Sequence, residues 1–135
     1  MKLDITAGPS TLDDVQTALD DFWSHHDEVP REVRMEVGIA AAEIVANILE
    51  HGCACGLHME IQVLPDAVEI EFTDDGNPAE VDLFTVRMPD EDAERGRGLP
   101  LAQAALRMLA YFRDEVGNHW KLVSKAITSA GKNET

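Results

Sequence analysis

Apolar residues recur along the chain with two different periods, and the changes of period divide it into elements. Leu12, Val15, Leu19, Phe22 and Trp23 follow three- and four-residue spacing, after Ser10 or Thr11 as cap and with Asp13 and Asp14 near the positive end of the dipole. This predicts a first helix with one face on a core. A second helix is predicted from near Pro30 to His51, with Gly52 as its stop. The stretches "LHMEIQVL" (57–64) and "AVEIEFT" (67–73) then alternate apolar and polar residues across Pro65-Asp66, the pattern of two paired strands and a hairpin turn. From Asp75 to Gly96 periodicity fades. So long an irregular segment is uncommon in a compact domain unless it is functional, and it is read as a mobile lid. A third helix is predicted from near Gly98, with Pro100 in its first turn and Leu101, Ala102, Ala105, Leu106 and Leu109 as its buried stripe. Finally "YFRDEV" and "HWKLVSKAI" flank Gly117-Asn118 as a second hairpin, and residues 1–10 begin with a short strand-like segment. Residues 1–128 read as one domain, and the last seven, 129–135, as a flexible tail.

Composition narrows the classes this pattern could serve. A chain of 135 residues, 44% of them hydrophobic, suits one compact domain with a real core. Its formal charge of −15 repels nucleic-acid backbone and anionic lipid, so neither is an expected partner. No stretch approaches the roughly 20 apolar residues of a membrane span, and "MKLDITAGPS" lacks the apolar run of a signal peptide. A soluble, cytoplasmic protein is expected. Cys53 and Cys55 lie too close for a disulfide framework and read as free thiols.

Three polar clusters interrupt the apolar pattern. The first lies in "AAEIVANILEHG" (41–52), where Glu43, Asn47 and His51 are four residues apart in an aliphatic run. At about 100° per residue, Glu32, Glu36, Glu43, Asn47 and Glu50 fall within roughly 60° of one another, and nearly all the remaining arc is apolar, so the helix is expected to be mostly buried. The stripe is either the one strip facing water or a site. As a site, an amide oxygen and a carboxylate one turn apart could share a hard cation, or divide metal binding from proton abstraction. The second cluster, "EFTDDGNPAEV" (71–81), ends a strand on two aspartates and a glycine. By itself it is a turn. The third, "ERGRGLPL" (94–101), opens a helix with glycines, exposing backbone N–H groups to an anion beside Arg95 and Arg97, though it too could be no more than a flexible lead into a helix. A metal site from His51, Cys53, Cys55 and His58 is disfavoured, because Cys-x-Cys is not the usual zinc spacing.

In their order and spacing the three clusters resemble the ATP-binding superfamily of gyrase, the heat-shock chaperone, bacterial histidine kinases and the mismatch-repair protein, known as the Bergerat fold. Glu43-x-x-x-Asn47-x-x-x-His51 is similar to its N box, Asp74-x-Gly76-x-Pro78 to its first glycine box, and Gly96-Arg97-Gly98-Leu99 to its second. Within that superfamily the short form with "GRGLPL" most resembles the bacterial anti-sigma factors that are also serine/threonine protein kinases, over nearly the whole chain. The resemblance implies an α+β, two-layer α/β sandwich, with three main helices on one face of a mixed, mostly antiparallel sheet. It implies that Asn47 ligates Mg²⁺ on the triphosphate of ATP and that Glu43 is the general base for an incoming hydroxyl. Asp74 would accept a hydrogen bond from the adenine amino group, with Gly76 letting the backbone approach the ring. Gly96 and Gly98 would lie against the phosphates, with Arg97 as their charge partner. His51 is left out of the catalytic set, and Pro78 stands where many relatives carry a second glycine.

The function so implied is an ATP-dependent serine/threonine kinase that phosphorylates an anti-sigma factor antagonist and sequesters a sigma factor. Relatives of this kind are often homodimers. Two rivals remain: a non-catalytic ATP-binding module controlling a protein partner, and a stand-alone histidine-kinase-like ATPase domain.

Overall fold

The computed structural model of the chain describes residues 1–6, 8–51, 56–77 and 98–127. The elements run β1 (Lys2–Thr6), α1 (Thr11–Trp23), α2 (Arg31–His51), β2 (Gly56–Val63), β3 (Val68–Asp74), α3 (Gly98–Ala105), β4 (Leu106–Arg113) and β5 (Asn118–Ser124). Among the described residues the strands form one sheet in the order β1-β2-β3-β5-β4, with every pairing antiparallel. The three helices lie in a second layer: α1 packs on β1 and α2, α2 on β3, β4 and β5, and α3 on α2 and β4. This is the expected two-layer sandwich. No helix is long and apolar enough to cross a membrane among the described residues.

The core between the layers follows from the two periodicities. Val15, Leu19, Phe22 and Trp23 of α1 and Val33, Val37, Ala40, Ala41, Ile44, Val45 and Ile48 of α2 are buried. They meet the alternate residues of the strands, Leu57, Met59 and Ile61 on β2, Ile70 and Phe72 on β3, Trp120 and Leu122 on β5. At the start of α1, Ser10 makes no side-chain cap to the backbone. Its hydroxyl donates to Asp14 instead, while the buried Thr11 hydroxyl accepts from the Gly8 N–H.

Two expectations change. The apolar arc of α2 is wider than its buried arc, for Met35 and Ile39 are 59% and 48% exposed. A single sheet can cover only one side of a helix, so the far side stays open whatever residues it carries. The third helix also stops at Ala105, four residues before the end of its expected stripe. Leu106 and Leu109 instead belong to β4, whose pairing with β5 runs from Leu106–Ser124 to Arg113–Asn118 with a register shift between Leu106 and Met108. "LRMLAYFR" satisfies both periods, and the open edge of β5 decides for the strand. Of the expected stripe, Ala102 and Leu106 are buried and Leu101 is 41% exposed. The second hairpin is accordingly longer than "YFRDEV" suggests, and it turns at Asp114–Gly117, where the Asp114 N–H bonds the Gly117 carbonyl.

Candidate functional site

Helix α2 carries the first cluster. Glu43 and Asn47, one turn apart, are half-buried, while Glu32 and Glu50 at the ends of the same stripe are exposed. The stripe is thus graded, and its middle is where the helix is flanked by the buried Ala40, Ile44 and Ile48. Helix α3 packs along α2 and begins at Gly98, so the third cluster's helix and the Glu43-Asn47 helix are neighbours. An amide and a carboxylate oxygen are the hard donors that Mg²⁺ takes alongside phosphate and water, so the pair fits that ion chemically.

Strand β3 carries the second cluster, and its last residue, Asp74, is 3% exposed. A carboxylate so buried requires donors. Its Oδ1 accepts from the Gly76 N–H at 2.8 Å and from the Asn118 Nδ2 at 2.9 Å. The first of these bonds closes the Asp-x-Gly turn on itself, which is why this residue pair recurs at turns.

The second donor comes from a residue that sequence reading treated only as part of a hairpin. Asn118 opens β5 beside Asp74, is 2% exposed, and also donates to the Asn77 carbonyl at 2.8 Å and the Gly76 carbonyl at 3.4 Å. Its own Oδ1 accepts from the Tyr111 hydroxyl and, at 3.0 Å, from Arg113. Arg113 donates in turn to the Gly76 carbonyl at 3.0 Å. Gly117, with φ of +150°, presses against the same turn: a Cβ there would lie 2.1 Å from the Asp74 carbonyl oxygen. The available signal was an asparagine, ordinarily depleted in strands, at the head of "NHWKLVS".

The remaining candidates divide plainly. Gly96, Arg97, Pro78 and nearly all of the expected lid lie outside the described residues, as do Gly52, Cys53, Cys55 and the 129–135 tail. His51 is the last residue of α2. His58 is on the sheet face away from the helices, where its ring meets Asp4 at 2.6 Å and Glu60 at 2.8 Å through different nitrogens. Its partners are therefore carboxylates, and no group of three potential metal-ligating side chains occurs among the described residues. A cleft of about 400 Å³ opens at the ends of β1, β2 and β3. Its polar lining takes in Asp4, Thr6, His58 and Thr73 of that same open face and also Asp74 and Asp75 at the end of β3, so the cleft reaches the edge of the sheet where the second cluster sits.

Among solved structures, the chain is similar to that of the RsbU and RsbW domains of a Mycobacterium tuberculosis protein, with a TM-score of 0.63 and 14% identity over 93% of this chain. It spans 32% of the matched chain, and at that identity the likeness is one of fold. No curated protein matches the sequence. The model of the histidine kinase-like ATPase domain matches residues 5–123, from β1 through β5 and across all three polar clusters. The superfamily resemblance of those clusters is thereby established, ATP binding with it: the chain belongs to the histidine kinase-like ATPase domain family.

Proposed function

We propose that this domain is an ATP-dependent serine/threonine kinase of the anti-sigma type, acting on a protein antagonist and holding a sigma factor as its regulatory output. The observation that carries the reading is the buried Asp74 carboxylate, fixed at the end of β3 on a domain of the ATPase family. A carboxylate in that setting selects a ligand that donates, as the adenine amino group does. The fold match to a structure containing an RsbW domain supports the narrower kinship.

In this reading Asn47 holds Mg²⁺, which when bound neutralises charge on the triphosphate. Glu43 accepts the proton of a serine or threonine hydroxyl as that oxygen bonds the γ-phosphorus, while the bond from the γ-phosphorus to its bridging oxygen breaks and ADP leaves. Gly96, Arg97 and the first residue of α3, Gly98, receive the phosphates. Pairing of two copies and a cytoplasmic location belong to the same proposal. The test is single-turnover transfer from labelled ATP with Mg²⁺ to the antagonist encoded nearest this chain. Label should appear on serine or threonine, and Glu43→Gln should slow transfer by about 10²- to 10⁴-fold with ATP binding nearly unchanged. Equal rates for the two proteins would discard the kinase in favour of a non-catalytic ATP-binding module, and label on histidine would favour the stand-alone histidine-kinase reading.

A further inference from the structure

We infer that Asn118 is a positioning residue for base recognition: it sets the Asp74 carboxylate in the one orientation that can accept from a ligand, and Tyr111 and Arg113 set Asn118. The inference rests on the reading of Asp74 as the adenine acceptor and adds what makes that acceptor selective.

The chain of reasoning starts at Arg113. A guanidinium only donates, so the Asn118 atom it touches at 3.0 Å must be the amide oxygen. Tyr111 donates to that same oxygen. The amide is therefore held one way round, and Nδ2 must face Asp74, Gly76 and Asn77. An asparagine able to flip would present Asp74 with an oxygen half the time, and two acceptors would then repel.

Held this way, Asn118 takes up Asp74 Oδ1 together with the Gly76 N–H. Oδ2 is left as the oxygen without a donor among the described residues. Backbone carbonyls of the same turn are occupied as well, Gly76 by Arg113 and Asn77 by Asn118, so neither competes for the ligand's donor. The turn is thus fastened to the β4–β5 hairpin at both side chain and backbone. Specificity needs this stiffness, because a carboxylate free to rotate could accept from many donors, whereas a fixed one rejects ligands whose donor lies elsewhere.

The decisive variant is Asn118→Asp, which keeps the shape and the acceptor for Tyr111 and Arg113 but faces Asp74 with a second carboxylate. Two carboxylates in contact cannot both ionise freely, so the pair should bind a proton with a raised apparent pKa. Arg113 and Tyr111 donate to the outer oxygen of the new carboxylate, so the shared proton lies between its inner oxygen and Asp74. ATP affinity in Asn118→Asp should therefore rise as pH falls from 8 to 5.5 and approach the wild type at the acid end, while the wild type stays flat. At pH 8 the loss should be roughly ten- to a hundredfold, and the preference for ATP over GTP should shrink with it. Asn118→Ala should lose affinity and selectivity without the pH dependence. Folding is followed in parallel by melting and by the fluorescence of Trp120, the second residue after Asn118.

A folded Asn118→Asp whose ATP affinity and ATP:GTP ratio match the wild type at every pH would overturn the inference. Asp74→Asn separates this from the parent reading. If Asp74→Asn also binds ATP normally, the adenine assignment itself fails. If Asp74→Asn loses affinity while Asn118→Asp does not, only the positioning role is lost.

Discussion

The sheet carries two polar constructions, one on each face, and their physical characters are opposite. On the helix side, Asp74, Asn118, Tyr111 and Arg113 form a knot in which Asp74 and Asn118 are 3% and 2% exposed. On the open side, neighbours across and along the strands form a ladder: Asp4 with His58, His58 with Glu60, Gln62 with Glu69, and Glu69 with Lys121. The ladder offers more formal charge and more ion pairs. Yet most of its members reach water, with Asp4 86% exposed although Glu69 is only 12% exposed, and pairs of that kind contribute little because solvent screens them and ordering them costs entropy. In the knot the Asn118 amide is buried together with the carboxylate it serves, so removing it leaves a buried acceptor short of a donor. The difference teaches that burial and donor geometry, more than charge density, set the two faces of this sheet apart.

That contrast can be broken in order of expected effect. The largest should come from Gly117→Ala, where the added Cβ meets the Asp74 carbonyl oxygen at 2.1 Å on a backbone with φ of +150°. Either the hairpin or Asp74 must move, so we expect a stability loss of about 1–3 kcal/mol or more in denaturant titration, with ATP affinity falling too. Normal stability and affinity would mean that the knot tolerates displacement and is not the rigid element described above.

Asp74→Asn comes next. It preserves size but removes the charge and one acceptor, so ATP and ADP should each bind about ten- to a hundredfold more weakly by calorimetry. Stability should change less than in Gly117→Ala. If affinity is untouched, the buried carboxylate serves folding alone.

On the open face the effects should be small and dependent on pH. The Asp4 carboxylate, and after it Glu60, raises the pKa of His58 above its ordinary 6.5. A group whose pKa is higher when folded stabilises fully below its unfolded value and loses that contribution as pH rises through the folded value. The wild type should therefore melt above His58→Gln by no more than about 2–3 °C at pH 6, and the gap should close by pH 8.5. ATP affinity should be the same in both proteins. A gap that widened with pH would reverse the assignment of His58 as the proton-binding partner.

The smallest effect is expected for Lys121→Gln. The Lys121–Glu69 pair at 3.1 Å raises the lysine pKa and lowers that of Glu69, whose carboxylate is bonded first by Gln62. Because the Lys121 side chain is 44% exposed, melting should shift by no more than about a degree, and less in 0.5 M salt. A salt-independent loss of several degrees would mean that the ladder behaves like the knot after all.

Much of the molecule was legible before folding. The stripe of α1, the length of α2 and the β2–β3 hairpin could be read because each repeats a local period several times, and burial on one face is what produces such a period. The β4 strand was not legible, since "LRMLAYFR" carries both periods and only the free edge of β5 chooses between them. The exposure of Met35 and Ile39 could not be read either, because hydrophobicity of a side chain does not say how many neighbours surround a helix.

At the candidate site the division is sharper. The sequence by itself determined that Glu43 and Asn47 share a helix face, because 3.6 residues per turn is a property of the backbone, and that Asp74 ends a strand next to a glycine turn. It also carried the box order by which the family is known. Only the tertiary structure decided that Asn118, 44 residues further along, would donate to Asp74, and that Arg113 and Tyr111 would fix which way its amide points. The register of β5 against β3 and β4 places those residues side by side, and register is set by how whole strands bury their apolar faces, which no short stretch of sequence contains.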